Sequence, residues 1–270
     1  MNARCCLDGQ VAVVTGAGGK LGPVWIGGLL EAGAVVVGLD LDGSSHPPAL
    51  SGLVDQYGDR RLALMPADVT DRSTLVAART RCLERFGVPS VLVNNAGIDQ
   101  SPSAGGRSYR IEDVPADISR QIFEVNTLGT FQAAQVFGVE MANAQRGSII
   151  NIGSLYASVS PDARFYDHFE SEPPFLKPPA YGASKAAVVS LTRYLATVWG
   201  RFGVRVNALS PGGVAANQDA EFTRKFCARV PLGRMAQHDD LVGPLQFLAS
   251  DASAYVTGAE LRIDGGFTAW

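Results

Sequence analysis

The sequence lacks most of the features that mark a membrane protein or a nucleic-acid-binding protein. No apolar run approaches the length that spans a bilayer, and the N-terminal MNARCCLDGQ has no apolar core of the kind found in signal peptides. Lysine and arginine form no runs and the formal net charge is -3, so the positive surface of a nucleic-acid binder is missing. We therefore expect a cytoplasmic protein whose partners are small molecules, with no nucleic acid and no membrane among them.

Cysteine is scarce as well. The four cysteines are Cys5, Cys6, Cys82 and Cys227, and none stands in a CxxC or Cys/His pattern that could hold a metal ion. An adjacent pair in an N-terminal tail, such as Cys5 and Cys6, is more often incidental than a redox device. These observations predict reduced thiols and no metal site.

What the chain does contain is an alternation of short apolar runs with longer segments of helical period. Its 270 residues are 46% hydrophobic and show no shift in composition, which favours a single domain over residues 1–270. We predict strands at residues 11–15, 35–39, 61–65, 91–94, 148–152, 205–209 and 260–263. We predict helices at residues 21–32, 71–86, 117–143, 180–202 and 239–249. Because the strands are apolar on both faces, they predict an α/β fold: a doubly wound, Rossmann-type three-layer sandwich with a seven-stranded, mostly parallel sheet.

The stretch TGAGGKLG, residues 15–22, joins the first predicted strand to the first predicted helix. Glycine at such a turn lets the backbone approach a nucleotide diphosphate, which then meets the N–H groups of the helix N-terminus. We therefore predict that this turn binds a dinucleotide cofactor. Its predicted cofactor-binding residues are Gly16, Gly18, Gly19, Lys20, Leu21 and Gly22.

Asp40 closes the second predicted strand, 18 residues beyond Gly22. A carboxylate at about this spacing receives the hydroxyls of the adenosine ribose, and it would repel the 2'-phosphate of NADP. The predicted cofactor is therefore NAD, with Asp40 and the following Leu41 among its binding residues. Asp42 could share the role of Asp40, although we favour a solvated loop position for it.

Eight motifs, in order along nearly the whole chain, resemble those of the short-chain dehydrogenase/reductase family. They are the glycine turn, Asp68-Val69, Asn94-Asn95-Ala96-Gly97, Asn126, Ser154, Tyr181-Gly-Ala-Ser-Lys185, Pro211-Gly212 and Asp264-Gly265-Gly266. The resemblance implies further cofactor-binding residues near the adenine, along the central strand and beside the nicotinamide. These residues are Asp68 and Val69, then Asn95, Ala96 and Gly97, then Pro211, Gly212 and Val214.

The four-residue spacing of Tyr181 and Lys185 places a phenol and an ammonium on one face of a helix. A phenol with a pKa of about 10 needs about 4 kcal/mol of preferential phenolate stabilisation to act as a base at neutral pH. Lys185 and the positive ring of an oxidised nicotinamide are suitable sources, and Ser154 can hydrogen-bond the substrate oxygen. The resemblance implies that Lys185 also bonds the nicotinamide ribose and that Asn126 holds a water linking Lys185 to solvent. The predicted catalytic residues are therefore Asn126, Ser154, Tyr181 and Lys185.

The glycine turn departs from the family pattern. The single-domain branch carries TGxxxGxG, whose penultimate glycine falls on Lys20, whereas Gly16, Gly19 and Gly22 match GxxGxxG of the longer branch that includes sugar-nucleotide epimerases. The chain ends soon after Asp264-Gly265-Gly266, without the extra substrate region of the longer enzymes, so we favour the single-domain branch. Lys20 lies either over the diphosphate or in solvent, and we slightly favour solvent.

A second departure is the spacing of 27 residues between Ser154 and Tyr181, which is longer than is common in the family. The excess forms an insertion at about residues 158–179, and because it connects the two catalytic residues it must border the active site. Its polar side chains either contact a polar substrate or belong to a solvent-exposed flap or an oligomer contact. They are Arg164, Tyr166, Asp167, His168 and Glu170. Another long loop, residues 98–115, is predicted to form a second rim of the pocket.

The sequence thus predicts an NAD-dependent oxidoreductase that transfers a hydride between the nicotinamide and a secondary alcohol or ketone of a small polar substrate, of the sugar, amino sugar or cyclitol type. An NADPH-dependent 3-oxoacyl-type ketoreductase is the first alternative, and Asp40 argues against it. The others are a sugar-nucleotide epimerase and a non-catalytic nucleotide-binding regulator, which would usually lose Tyr181 or Lys185. Two long helices that are apolar on more than one face, and an apolar C-terminus, predict a homotetramer, with a dimer as the alternative.

Overall fold

The computed structural model describes residues 5–99 and 108–270, and within them the strands form one sheet in the order β3-β2-β1-β4-β5-β6-β7. Every pairing of neighbouring strands is parallel. The strands are β1 Val11–Thr15, β2 Val35–Asp40, β3 Leu62–Pro66, β4 Val91–Asn94, β5 Gly147–Ile152, β6 Val204–Pro211 and β7 Glu260–Ile263. The predicted doubly wound α/β fold is confirmed, and all seven predicted strands are present within two residues of their predicted bounds.

Helices cover both faces of the sheet. They are α1 Gly22–Glu31, α2 Pro48–Tyr57, α3 Arg72–Phe86, α4 Ala116–Phe123, α5 Thr130–Asn143, α6 Pro179–Trp199, α7 Ala220–Cys227 and α8 Asp239–Ala249. The predicted helix over residues 117–143 is present as a continuous helical segment, in which a π-helical turn, Glu124–Gly129, joins α4 to α5. Helices α2 and α7 were not predicted at all.

The two faces of the sheet carry separate hydrophobic cores. One core packs Trp25, Ile26 and Leu29 of α1 and Leu245 of α8 against the sheet, and the other contains Phe137 of α5. Alternate residues of the same strand serve the two cores, as the side-chain period of a strand requires. This is why the strands are apolar throughout rather than alternating with polar residues.

A third, smaller core forms between the insertion and α7. Phe165 of the insertion lies 5.6 Å from Phe226 of α7, measured between ring centroids, and Phe226 lies 5.0 Å from Phe267 near the C-terminus. The ring of Tyr166, also in the insertion, lies 5.5 Å from the ring of Phe222 of α7, with 32° between the ring planes. The insertion is therefore packed by its own aromatic side chains, although it contains no long helix or strand.

Strand β1 lies between β2 and β4, so the order of the strands reverses direction at this point of the sheet. In open α/β sheets, ligands bind outside the carboxyl ends of the strands at such a switch point. The loops that leave the carboxyl ends of β1, β4 and β5 carry the glycine turn, Asn95 and Ser154 respectively. The fold therefore gathers the predicted site residues at one edge of the sheet.

Candidate active site

The glycine turn is fixed by the loop that follows β4. The amide of Asn95 donates from Nδ2 to the carbonyl oxygens of Thr15 and Gly16, at 3.0 and 2.9 Å, and its Oδ1 accepts from Trp25 Nε1 at 2.8 Å. The backbone N–H of Ala96 donates to Thr15 Oγ1 at 3.0 Å. Because these bonds use both the donor and the acceptor ends of the Asn95 amide, that side chain positions the turn rather than reaching out of it.

Two glycines of the turn have no room for a side chain. Gly16 has a φ of 68°, in the left-handed region, and a Cβ there would lie 2.8 Å from the Cα of Ala96. A Cβ on Gly22 would lie 2.3 Å from the carbonyl oxygen of Ala17. The turn is therefore as tight as the motif predicts, and the glycine missing at position 20 does not open it. Lys20 is exposed.

Asp40 lies where β2 ends, against the glycine turn. Its Oδ2 accepts from the backbone N–H of Gly18 at 2.6 Å, and its Oδ1 accepts from the N–H of Leu41 at 2.8 Å. The same carboxylate lines a cavity of about 160 Å³ that Asp42 and His46 also border. Asp42 is exposed in the loop after β2, in the position that was favoured for it. Each oxygen of Asp40 keeps a further lone pair for a ligand hydroxyl.

Asp68 and Val69 follow β3 on the same edge of the sheet. Oδ1 of Asp68 accepts from both the N–H and the Oγ1 of Thr70, at 2.8 and 2.7 Å, which fixes the carboxylate and leaves Oδ2 for a ligand. Val69 is buried against the π-helical turn, where a Cβ on Gly129 would lie 2.6 Å from Val69 Cγ2. Both residues therefore lie at the end of the sheet where the adenine is expected.

Lys185 and Tyr181 lie one turn apart on α6, as predicted. Nζ of Lys185 donates to the carbonyl oxygen of Ile152, at the end of β5, at 2.8 Å, and the lysine is 5% exposed. Burial lowers the pKa of Lys185 to about 8, and Asp99 opposes this change. The ammonium is therefore held at the carboxyl edge of the sheet with little solvent around it.

Burial is also the main influence on the pKa of Tyr181. It raises the pKa of the phenol to about 12, with the negative charge of Asp99 acting in the same direction, while a hydrogen bond from Ser154 lowers it in part. Ser154 itself is buried, and its Oγ accepts from the N–H of Tyr156 at 3.2 Å. Burial therefore favours the protonated form of the phenol.

Asn126 lies in the π-helical turn and ties three segments together. Its Oδ1 accepts from the N–H of Ile98 at 2.8 Å, and its Nδ2 donates to the carbonyl oxygen of Ile98 and to Oγ of Ser184, both at 3.0 Å. A Cβ on Gly97 would lie 3.3 Å from Asn126 Oδ1 and 3.5 Å from Lys185 Nζ. The loop after β4, the π-helical turn and α6 thus meet around the ammonium of Lys185.

The last group of predicted cofactor contacts follows β6. Pro211 ends the strand, and the N–H of Gly212 donates to the carbonyl oxygen of Ile263 at 2.9 Å. Val214 pairs with Ala236 in an isolated parallel bridge. The bond of Gly212 joins the predicted nicotinamide border to β7.

A nicotinamide dinucleotide fits this edge of the sheet. The glycine turn is too tight to hold side chains, its N–H groups stand at the start of α1, and Asp40 offers acceptor oxygens at the end of β2. No group of three or more His, Cys, Asp or Glu residues within 5–99 and 108–270 could hold a metal ion. In the same ranges, no helix is long and apolar enough to cross a membrane.

Three of the polar residues singled out in the insertion, Arg164, Asp167 and His168, contact α7, the residue that caps it, or another residue of the insertion. Asp167 forms an ion pair with Lys225, and Nε2 of His168 lies 2.8 Å from Asp219 Oδ1. Arg164 pairs with Asp162 within the insertion. These contacts explain how the insertion is held, but they do not bring those residues to Tyr181.

Two residues that were not predicted lie next to Tyr181 instead. Lys177 of the insertion forms an ion pair with Asp99, with 2.5 Å between Nζ and Oδ2, and its Nζ lies 5.0 Å from the ring centroid of Tyr181. The Lys177 side chain is only 7% exposed. Asp99 belongs to the other predicted rim, residues 98–115, of which residues 100–107 lie outside the described part of the chain. In the sequence, only their positions indicate a place near the site: Asp99 comes two residues after Gly97, and Lys177 comes four residues before Tyr181.

Comparison with known proteins agrees with this geometry. Residues 27–268 match the family model described as enoyl-(acyl carrier protein) reductase. The chain is 34% identical to galactitol 2-dehydrogenase (L-tagatose-forming) of Cereibacter sphaeroides, over 98% of this chain and 97% of that protein.

Solved structures are similar along the whole chain. A gluconate 5-dehydrogenase from Burkholderia cenocepacia J2315, in complex with NADP and tartrate, matches with a TM-score of 0.83 and 32% identity, covering 99% of this chain and 98% of that one. A short-chain dehydrogenase from Leptospira borgpetersenii with bound NAD+ matches with a TM-score of 0.81 and 31% identity, covering 99% and 96%.

The chain belongs to the short-chain dehydrogenase/reductase family. The predicted oxidoreductase class and the requirement for a nicotinamide cofactor are thereby confirmed.

Proposed function

We propose that this chain is an NAD-dependent dehydrogenase that interconverts a secondary alcohol and a ketone on a small polyhydroxylated substrate. The observation that carries this proposal is the meeting of Ser154, Tyr181 and Lys185 at the edge of the sheet that also bears the glycine turn and Asp40. A phenol, a hydroxyl donor and a buried ammonium are the groups that removal of an alcohol proton requires.

The proposal of NAD rests on charge. The carboxylates of Asp40 and Asp42 border one cavity at the end of β2, and both would repel a ribose 2'-phosphate. Lys20 is the only basic residue in the turn itself and is exposed. The similar structures do not decide the matter, because one contains NADP and another contains NAD+.

Tyr181, Lys185 and Ser154 have separate roles in the proposed reaction. When bound, an oxidised nicotinamide supplies the hydride acceptor and a positive charge close to Tyr181. That charge, with Lys185, offsets the burial that otherwise holds the pKa of Tyr181 at about 12. Tyr181 then takes the hydroxyl proton from the alcohol as the carbinol carbon loses its hydride, and Ser154 hydrogen-bonds the oxygen that becomes the ketone. Reduction of a ketone uses the same groups in reverse.

The substrate class follows from the rim of the site and from the relatives. Lys177, Asp99 and Tyr156 place charged and hydroxyl groups beside Tyr181, which suits a substrate with several hydroxyls better than an acyl chain. The similar proteins carry the names of a galactitol dehydrogenase and a gluconate dehydrogenase, both of which imply polyhydroxylated substrates. We therefore propose a polyhydroxylated substrate rather than an acyl thioester.

A panel assay tests the proposal. Purified protein is mixed with NAD or NADP and with polyols, sugar acids, sugars and cyclitols, and formation of the reduced cofactor is followed by absorbance. The reverse reaction is tried with a 3-oxoacyl thioester and NADPH. Reduction of NAD by a polyhydroxylated secondary alcohol is expected. Turnover of the thioester alone would support the ketoreductase instead, and cofactor binding without any turnover would support the regulator.

We also propose a homotetramer. Helices α4 to α6 and the π-helical turn expose large apolar side chains, and the C-terminal Trp270 is 74% exposed. Such surfaces are unusual on a monomer and are typical of subunit contacts. The apolar side chains on the helical surface are Phe123, Leu128, Val139, Tyr194 and Val198. Size-exclusion chromatography with light scattering is expected to give four times the mass of the chain, and a monomer would contradict the proposal.

The proposed location is the cytoplasm. All four cysteines are free, as suits a reducing compartment. Cell fractionation of a producing strain that places the protein in the membrane or secreted fraction would contradict it.

A further inference from the structure

A charge pair that takes no direct part in the proposed proton transfer lies beside Tyr181. Asp99 lies on the loop after β4 and Lys177 in the insertion, 78 residues away, and their side chains meet with 2.5 Å between Oδ2 and Nζ. Nζ of Lys177 lies 5.0 Å from the ring centroid of Tyr181 and 5.5 Å from that of Tyr156. A lysine with a side chain that is 7% exposed is costly to bury unless it has a partner, and Asp99 is that partner.

The pair keeps binding capacity after its own contact is made. A lysine ammonium has three donors, and the contact with Asp99 uses one of them; a carboxylate has about four acceptor positions and also loses one. The Asp99 side chain is 28% exposed, so its remaining oxygen positions are reachable. The ammonium of Lys177 and the carboxylate of Asp99 therefore offer a hydrogen-bond donor and an acceptor side by side, next to the phenol of Tyr181.

Two further contacts hold the rims that carry the pair. Oγ of Ser108 donates to the carbonyl oxygen of Pro174 at 2.7 Å, and Arg110 lies 3.5 Å from Glu172. Both contacts join the loop after β4 to the insertion, but Arg110 and Glu172 are mostly exposed. The position of Lys177 beside Tyr181 does not therefore depend on the bond to Asp99 alone, and the pair can exchange part of its contact for a ligand.

The charges of the pair decide which ligand suits it. Asp99 and Lys177 have no net charge between them, so they give an anionic substrate no net attraction, and a substrate carboxylate beside Asp99 meets a like charge in a site with little solvent. Hydroxyl groups both donate and accept, so neighbouring hydroxyls can satisfy a carboxylate and an ammonium at once.

We propose that Asp99 and Lys177 bind hydroxyl groups flanking the reacting carbinol, and that they restrict the enzyme to neutral polyols and exclude sugar acids. This inference rests on the proposed function, since it specifies the substrate class of the same site. Asp99 and Lys177 are specificity-determining residues in this account; the proton transfer stays with Tyr181.

The test compares substrates that differ only in one terminal group. Galactitol and D-galactonate form one such pair, and D-glucitol and D-gluconate form a second. Steady-state kcat and KM are measured with NAD for the wild type, Asp99→Asn, Lys177→Gln and Glu172→Gln. The last variant is the matched control, because it removes another carboxylate that joins the same two rims.

The wild type is expected to prefer the polyol of each pair. Loss of one charge-assisted hydrogen bond raises the KM for the polyol about tenfold in Asp99→Asn and in Lys177→Gln. Asp99→Asn leaves the positive charge of Lys177 without a counter-charge, so the KM of this variant for the sugar acid is expected to fall. Lys177→Gln leaves the negative charge of Asp99 without a counter-charge, so the KM of this variant for the sugar acid is expected to rise. Glu172→Gln keeps the wild-type ratio and the wild-type kcat. Because Asp99 raises the pKa of both Tyr181 and Lys185, kcat of Asp99→Asn is expected to change with pH, so the test is the ratio of the KM values for the two substrates of each pair.

A measurement on the wild type alone keeps the test valid if a variant fails to fold. Tartrate, a small dicarboxylate with two hydroxyls, is expected to inhibit galactitol oxidation only weakly. The inference is overturned by tight competitive inhibition by tartrate, by a wild-type preference for the sugar acid, or by an Asp99→Asn variant with the same substrate ratio as Glu172→Gln. Each of these outcomes leaves the proposed dehydrogenase activity intact. If the wild type oxidises neither class with NAD or NADP, both the proposed function and the inference are wrong.

Discussion

The carboxylate of Asp40 accepts a hydrogen bond from the backbone N–H of Gly18, at 2.6 Å. The residue that is expected to recognise the adenosine ribose therefore also holds the turn that is expected to cradle the diphosphate. Its second oxygen is bonded to the N–H of Leu41 at 2.8 Å, which fixes the plane of the carboxylate. Asparagine at position 40 removes the charge but keeps one acceptor oxygen, so it retains one of these two bonds.

Asp40→Asn is accordingly expected to change cofactor choice more than it changes folding. Loss of the negative charge removes the repulsion of a 2'-phosphate and weakens the bonds to the ribose hydroxyls, so the ratio of kcat/KM for NADP to that for NAD rises about tenfold or more. The measurement is initial rates with both cofactors at saturating alcohol. Asp42→Asn serves as the control and shifts the ratio less; an unchanged ratio in Asp40→Asn would refute the assignment of NAD specificity to this carboxylate.

Asn95 gives a second prediction, on the turn itself. Asn95→Asp replaces an amide donor by a carboxylate that faces the carbonyl oxygens of Thr15 and Gly16. The loss of two bonds and the new repulsion are expected to lower the free energy of unfolding by about 3 kcal/mol and to weaken NAD binding. Urea unfolding and a fluorescence titration with NAD measure the two effects. The same change at Asn143, which is exposed, is the control; equal effects of both changes would contradict the role given to Asn95.

Lys185 is expected to influence the pH at which the enzyme oxidises an alcohol. Tyr181 must lose its proton first, so kcat/KM for oxidation rises with pH, and a nearby cation moves that rise to lower pH by stabilising the phenolate. Lys185→Met is expected to move the rise to higher pH by about one unit or more, while Lys185→Arg keeps the charge and stays closer to the wild type. The pH profile of kcat/KM with NAD in excess shows the shift. Identical profiles for the methionine variant and the wild type would contradict the coupling.

Lys185 is also expected to lower the free energy of unfolding. Its pKa in the folded chain is lowered to about 8 from an ordinary value of 10.5, so between these values the unfolded chain holds a proton that the folded chain has lost. Stability therefore rises with pH across this window, and the penalty is fully present below pH 8. Lys185→Met is expected to stabilise the protein at pH 7 by about 2 kcal/mol, with a gain that shrinks towards pH 10.5. Chemical denaturation at both pH values tests this, and a loss of stability at pH 7 would contradict it.

The fold could be predicted well because its signals are local. A strand that is buried on both faces is a continuous apolar run, and Val91–Asn94 and Glu260–Ile263 were predicted with the bounds that the structure shows. Helix α2 was missed because its flanking Pro47 and Pro48 were not recognised as a helix start, although proline is favoured at the first helical position. The π-helical turn at Asn126 was missed because its side chain bonds to Ile98 and Ser184, which are distant in sequence.

The residues of the site also differ in whether their proximity could be predicted from local sequence. Tyr181 and Lys185 are one helical turn apart, so their proximity follows from helix geometry alone. Asp99 and Lys177 meet only because the loop after β4 and the insertion return to the same edge of the sheet, and no local pattern encodes a contact across 78 residues. His168 and Asp167 attracted attention as candidate substrate contacts because their partners, Asp219 and Lys225, lie in or beside a helix that was not predicted.

The most direct measurement is the rate of NAD reduction by galactitol for the wild type and for Tyr181→Phe, with NAD binding measured on both proteins. Tyr255→Phe, a change at a fully exposed tyrosine, is the control. The wild type and the control are expected to reduce NAD at similar rates, while Tyr181→Phe binds NAD normally and loses about a thousandfold or more in kcat/KM, because a positioned acid/base has been removed. Activity of Tyr181→Phe near that of the wild type, or NAD binding by the wild type with no oxidation of any polyhydroxylated alcohol, would contradict the account.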